Sequence, residues 1–301
     1  MDMKVSLGRL KLKNPVMTAS GTFGYGKEYS EFFDINKLGA IVIKGISVNP
    51  MPGNPTPRIC ETPSGMINAI GLQNPGLKGF LKDQVPFLKQ LKTKVIVNVL
   101  GNSADDYIRL AEAVEEAGMN AVELNVSCPN VKKGGIVFGT DPKAFEDLIT
   151  AVRKKVKLPL ITKLSPNVAK ISEFAKIAED CGSDIISLIN TLTGMSIDIN
   201  TRKPRIANII GGLSGPAIKP VAVRMVWECR KAVKIPIIGM GGIIAAEDAV
   251  EFMLAGADAI AVGTGNFLNP LTTLQVLEGI KLHMKSQGIN SVSEITGGLI
   301  C

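Results

Sequence analysis

Short runs of β-branched and aliphatic residues recur along the whole chain, each followed by a longer stretch with helical periodicity. The runs lie at 15–20, 40–47, 95–101, 121–127, 160–165, 185–191, 236–241 and 259–264. Between them, apolar residues repeat every three or four positions over 77–91, 104–117, 143–156, 172–181, 216–233, 246–255 and 271–286. That spacing sets one face of a helix against a core. Ser103 and Asp141 stand where N-caps belong, Asp141 directly ahead of Pro142. Strands in strict alternation with helices predict an α/β fold, a single (β/α)8 TIM barrel over 1–301. A doubly wound sheet is the second reading. It is disfavoured as a dinucleotide-binding unit because no Gly-x-Gly-x-x-Gly occurs.

Three connections, 48–76, 128–140 and 192–215, are too long for simple βα turns, and long ordered loops tend to be functional. Each follows a strand, which predicts long loops on the C-terminal face, where barrel active sites sit. The first is rich in Pro and Gly. The second carries Gly134, Gly135 and Gly139, and the third contains Pro204-Arg205-Ile206, echoing Pro57-Arg58-Ile59.

The strands also carry polar residues where a barrel should be dry. Val122, Leu124 and Val126 alternate with Glu123, Asn125 and Ser127, so the apolar set faces the helices and the polar set the interior. Lys44, Asn98, Lys163 and Asn190 intrude in the same way. A structural network between barrel layers accounts for any one of them. Two lysines and three asparagines late in their strands favour a polar ligand, because a buried lysine needs an anion or strong acceptor. Asparagine amides suit a ring that alternates N–H and C=O. Gly241-Gly242 and Gly263-Thr264 end the last two strands in turns where bare N–H groups can approach a phosphate.

Composition narrows the function. The net charge of +7 comes from scattered lysines and points to no particular partner. No basic-aromatic cluster signals nucleic acid, no apolar run nears the roughly 18 residues of a spanning helix, and the first 17 residues lack a signal-peptide core. Cys60, Cys128, Cys181, Cys229 and Cys301 are well separated, which argues against a disulfide framework, a metal site or an iron–sulfur cluster. A cytoplasmic location follows. The single histidine, His283, reads as a surface residue, so histidine-based hydrolysis is disfavoured. Cys128 is the exception among the cysteines: it directly follows a strand and precedes Pro129, well placed to act as a base. The other four read as small buried hydrophobes.

Three motifs now carry a resemblance: Asn125-Val-Ser-Cys-Pro-Asn130, Asn68-Ala-Ile-Gly-Leu-Gln-Asn-Pro-Gly76, and the Gly241-Gly242 and Gly263-Thr264 pair. Over essentially its whole length the chain resembles the dihydroorotate dehydrogenases. The Gly-Leu-Gln-Asn-Pro-Gly run is similar to the heteromeric, NAD-linked class 1B. The resemblance implies one FMN per chain, with Ser20, Lys44, Gly45, Asn98, Asn125, Lys163, Ile189, Gly215, Gly241, Gly242, Gly263 and Thr264 at its binding positions. It implies that Lys44, Asn68, Ala69, Ile70, Gly71, Leu72, Asn125, Asn190 and Thr191 contact the dihydroorotate or orotate. It further implies that Cys128 takes a proton from C5 while C6 gives a hydride to the flavin, with Lys163 stabilising negative charge on the reduced ring. An electron-transfer subunit carrying FAD and a [2Fe–2S] centre is the implied partner, with a homodimer of this chain inside a heterotetramer. The alternatives are a fumarate-dependent class 1A enzyme, a dihydrouridine synthase-like flavin barrel acting on tRNA, a flavin-free barrel lyase or isomerase, and a non-enzymatic module.

Overall fold

The computed structural model describes residues 1–126 and 138–300. Eight parallel strands close into a barrel, each beside the next: Val16–Thr18, Ala40–Ile46, Lys94–Val99, Ala121–Asn125, Leu160–Lys163, Ile185–Leu188, Ile237–Met240 and Ala259–Val262. Each overlaps an expected run, the third starting one residue early at Lys94, and each stops one to three residues sooner than expected. The residues beyond the strand ends include Ser20, Ser47, Gly101, Asn190, Thr191, Gly241, Gly263 and Thr264, whereas Lys44, Asn98, Asn125 and Lys163 stay within the strands.

The helices pack outside. Ala104–Glu116 and Pro142–Arg153 open on the expected caps: Ser103 Oγ accepts from Asp106 N at 3.2 Å and Asp141 Oδ1 from Ala144 N at 2.8 Å. The helix expected over 77–91 is instead three short pieces, Gly76–Gly79, Phe80–Gln84 and Val85–Leu88, with a wide π turn in the middle. Pro86 has no N–H to donate into a regular ladder, which explains the break. Among the described residues no helix is long and apolar enough to cross a membrane.

Strand parity divides the core in two. Val122, Leu124 and Val126 pack outward with Tyr107, Leu110, Phe145 and Leu148 of the helices. Inward-facing Met17, Ala40, Val42, Ile96, Ala121, Ile161 and Ile185 form a second cluster, which also takes in Leu7, Leu10 and Leu12. Those leucines belong to an antiparallel hairpin, Val5–Leu7 with Leu10–Leu12, turned at Gly8 with φ of +58°. Ala40 and Ala121 are the first residues of their strands, so the hairpin plugs the N-terminal end of the barrel.

Two of the three connections expected as loops contain strands. Leu192–Met195, Ile210–Ser214, Gly65–Asn68 and Ile59–Thr62 form a four-stranded antiparallel sheet in that order. Local pattern could not show this, because Gly212 pairs with Asn68 across a wide sequence gap. The paired Pro-Arg-Ile echoes meet here, where Ala207 N donates to Pro57 O at 2.8 Å. Most of the connection expected over 128–140 lies outside the described residues. Cys229 is fully buried, and burial pushes its thiol up to about 12. Cys60 and Cys181, expected to be buried, are only partly so. Cys60 lies on an edge strand of the antiparallel sheet and Cys181 caps the end of helix Ile171–Asp180, both places with one open side.

Candidate active site

The second strand carries a bulge at the residues that matter. Ile43 pairs with Val97 and Ile46 with Val99, so Lys44-Gly45-Ile46 spans one residue more than its partner. A bulge re-aims a side chain, and this one sits at Lys44. Gly45 permits it, since a Cβ there would stand 2.6 Å from Asn98 Oδ1.

Lys163, at the end of the fifth strand, is buried and donates to Ser20 Oγ at 3.4 Å. Burial, and then the Lys163 ammonium, push Lys44 below the usual lysine range. No carboxylate lies within ion-pair distance of either lysine among the described residues. Two ammoniums held together in a partly dry site create a strong demand for an anion.

Asn98 and Asn125 stand beside them on the third and fourth strands. Asn98 Nδ2 donates to Glu123 Oε1 at 2.6 Å, and Asn125 Nδ2 reaches Asn98 Oδ1 at 3.5 Å. Asn125 Oδ1 is buried with no partner. An acceptor left bare at this depth costs about 1–3 kcal/mol unless a ligand meets it. The Tyr107 hydroxyl donates to Asn125 O at 2.8 Å and fixes the backbone below.

The glycine positions gather at a different corner. A Cβ on Gly242 (φ +83°) would meet Gly215 O at 2.9 Å and Lys219 Cβ at 2.8 Å. Gly241 (φ +128°) would meet Ala222 Cβ at 2.9 Å and Ile189 Cγ1 at 3.2 Å. Glycine is therefore needed at both for close packing, whatever binds. Gly263 differs: the nearest atom to its Cβ position is Ala19 Cβ at 3.6 Å, so the space before it is open. Thr264 Oγ1 donates to Ser214 Oγ at 2.8 Å, tying this corner to the antiparallel sheet.

The remaining expected contacts lie on that sheet and the strand-six exit. Asn68 Nδ2 donates to Gly212 O at 3.3 Å. Ala69 N bonds Arg58 O, Ile70 O accepts from Asn54 N, and Gly71 and Leu72 both take positive φ. Asn190 Oδ1 accepts from Thr191 N at 2.8 Å, and the Thr191 carbonyl accepts from Asn167 Nδ2 at 3.0 Å. The residues from 68 to 72 have no hydrogen bond to Lys44 or Lys163. They are joined to the barrel through Asn74, whose side chain bonds Ser47, Gly76 N and Leu72 O. Asn74, Asn167, Ser214 and Glu123 were missed as site residues. Glu123 gave a signal in its shared inward parity with Asn125, and Asn74 lies within the Asn68–Gly76 motif; Asn167 and Ser214 gave none. Cys128 lies outside the described residues.

The site therefore offers two lysines with no carboxylate partner among the described residues, a buried acceptor with no hydrogen bond and an open glycine corner, which fits a polar, anionic heterocycle with a phosphate. The chain matches the profile of the family described as dihydroorotate dehydrogenase over residues 2–284. It is 57% identical over 298 residues to a protein of Alkaliphilus oremlandii, covering 99% of each. It is 55% identical over 300 residues to one of Geotalea uraniireducens, covering 99% of this chain and 98% of the relative. A third, from Thermoanaerobacter pseudethanolicus, is 54% identical over 299 residues, with 99% of each covered. All three carry the name dihydroorotate dehydrogenase B (NAD(+)), catalytic subunit. By fold and by full-length similarity, this chain belongs to the dihydroorotate dehydrogenase family.

Proposed function

We propose that the chain is the catalytic subunit of an NAD-linked dihydroorotate dehydrogenase, oxidising (S)-dihydroorotate to orotate in pyrimidine biosynthesis. The observation that carries this reading is the pairing of Lys163, buried, with Lys44, half-buried, neither with a carboxylate in ion-pair distance among the described residues, at the mouth of a barrel of this family. The substrate brings a carboxylate and an amide ring, the complement of this donor set.

The residues fit FMN. The corner of Gly215, Gly241, Gly242, Gly263 and Thr264 would hold its phosphate, and Ser20, Lys44, Gly45, Asn98, Asn125, Lys163 and Ile189 its ring system. When bound, FMN supplies the acceptor for the hydride that leaves C6. The chain's own groups do the rest. Cys128 takes the C5 proton, so that C5 and C6 together lose one proton and one hydride. Lys163 offsets the negative charge that develops, an effect that is largest in a water-poor site. Lys44 and the segment from Asn68 to Leu72 hold the carboxylate side, and Asn125, Asn190 and Thr191 read the ring amides.

NAD requires a second protein. The chain has no dinucleotide fingerprint and no grouped cysteines, so an electron-transfer subunit with FAD and a [2Fe–2S] centre completes the route, in a cytoplasmic heterotetramer built on a dimer of this chain. The test is dihydroorotate oxidation assayed in parallel with NAD, fumarate and an artificial acceptor. The isolated chain should use the artificial acceptor and reduce almost no NAD until the partner is added. Efficient NAD reduction by the lone chain would refute the two-subunit reading, and brisk fumarate reduction would indicate a partner-independent enzyme.

A further inference from the structure

Glu123 is 1% exposed, yet its carboxylate lies inside the barrel one layer beneath the lysines. Its Oε1 accepts from Asn98 Nδ2 at 2.6 Å and its Oε2 from Ser187 Oγ at 2.8 Å. A carboxylate bonded on both oxygens offers the amide only an acceptor, so the nitrogen of Asn98 must face it and the oxygen must face away. That oxygen is met by Asn125 Nδ2 at 3.5 Å. Asn125 in turn is left with Oδ1 turned from the chain, buried and unpartnered.

We infer that Glu123 is a positioning residue that sets the polarity of the Glu123–Asn98–Asn125 chain, so that Asn125 presents an acceptor and selects a ring N–H of the pyrimidine. This rests on the substrate reading above. Neither asparagine can choose its own orientation, because an amide turned end for end occupies the same space. Only a group that cannot donate breaks the tie. Glutamine at 123 would not break it: Nε2 can donate to Asn98 Oδ1 while Ser187 donates to Oε1, so the whole chain is free to reverse when a ligand favours it. In the reversed chain Asn125 shows its NH2 to the ligand.

The test uses flavin-loaded protein and three ligands of one shape: orotate and its 1-oxa and 3-oxa isosteres, each with a ring oxygen, an acceptor, where orotate has an N–H. Binding is followed by the change in flavin absorbance. The natural chain should bind one isostere about ten- to a hundredfold more weakly than orotate, through loss of the bond to Asn125. Glu123→Gln should keep its flavin and bring that one ratio to within about threefold of unity, with the other ratio unchanged. Ser187→Ala leaves the Glu123 to Asn98 bond in place and should keep both ratios. Equal ratios in Glu123→Gln and the natural chain would overturn the inference. So would a Ser187→Ala ratio that fell equally, since loosening of the layer would then suffice. No orotate binding by the natural chain would instead overturn the substrate reading itself.

Discussion

Lys163 and Ser20 meet at 3.4 Å, although their strands stand opposite each other in the barrel. The lysine therefore reaches over the mouth, and its charge lies above the centre of the ring of strands, not along the wall. Lys163→Gln keeps a donor on a side chain one bond shorter and removes the charge. It should slow flavin reduction by dihydroorotate by about 10²–10³-fold, the usual cost of losing one electrostatic stabiliser. The substrate KM should change far less. Rapid-mixing absorbance measures both, and an unchanged reduction rate would remove Lys163 from charge stabilisation.

Lys44 gives a pH dependence whose sign is fixed. Its folded value lies below the ordinary 10.5, chiefly through burial and then through Lys163. Between the folded value and 10.5 the unfolded chain holds more protons, so the stability contributed by this residue rises with pH; below the folded value its full penalty is felt. Flavin-free Lys44→Met should therefore melt above the natural chain at pH 7. The gap should close as the pH approaches 10.5, while flavin affinity is lost throughout. A gap independent of pH would contradict this assignment.

Gly263 and Gly242, at one corner, separate ligand effects from fold effects. Gly263→Ala adds a methyl that meets only Ala19 Cβ at 3.6 Å, so melting should stay within about 0.5 kcal/mol of the natural chain. Any loss of flavin is then a loss of ligand space. Gly242→Val should lose flavin and stability together, because φ of +83° costs a β-branched residue about 1–3 kcal/mol even before it meets Lys219. Calorimetry with flavin content decides. A Gly263→Ala protein with full flavin would move the phosphate away from this corner.

The barrel was legible because each strand writes itself locally. Val122, Leu124 and Val126 against Glu123 and Asn125 already separate the helix face from the interior, and the structure keeps that division. The antiparallel sheet was not legible, since its register joins Asn68 to Gly212 and neither strand has a periodic run long enough to stand out. Leu10 and Leu12 of the N-terminal hairpin alternate with Arg9, Lys11 and Lys13, a pattern that says nothing of what they cover, and only closure of the barrel makes them a plug. Asn74 shows why hydrogen-bond hubs escape sequence reading. It lies in a Pro- and Gly-rich stretch where any polar residue is expected, and its bonds to Ser47 span the connection.

Cys128 is the base in the proposed reaction. Cys128→Ala should retain bound flavin and lose about 10²–10⁴-fold in turnover, the range of general base catalysis. Cys128→Ser should also be badly impaired at neutral pH, since a hydroxyl is far harder to ionise than a thiol. Near-normal turnover in the alanine protein would exclude the cysteine.

The most direct measurement is anaerobic titration of the flavin-loaded chain, without any partner, with dihydroorotate. The visible flavin band should bleach with one equivalent of substrate per flavin, and an equal amount of orotate should appear. A band that stays oxidised, with no orotate formed, would contradict the claim that this barrel oxidises dihydroorotate.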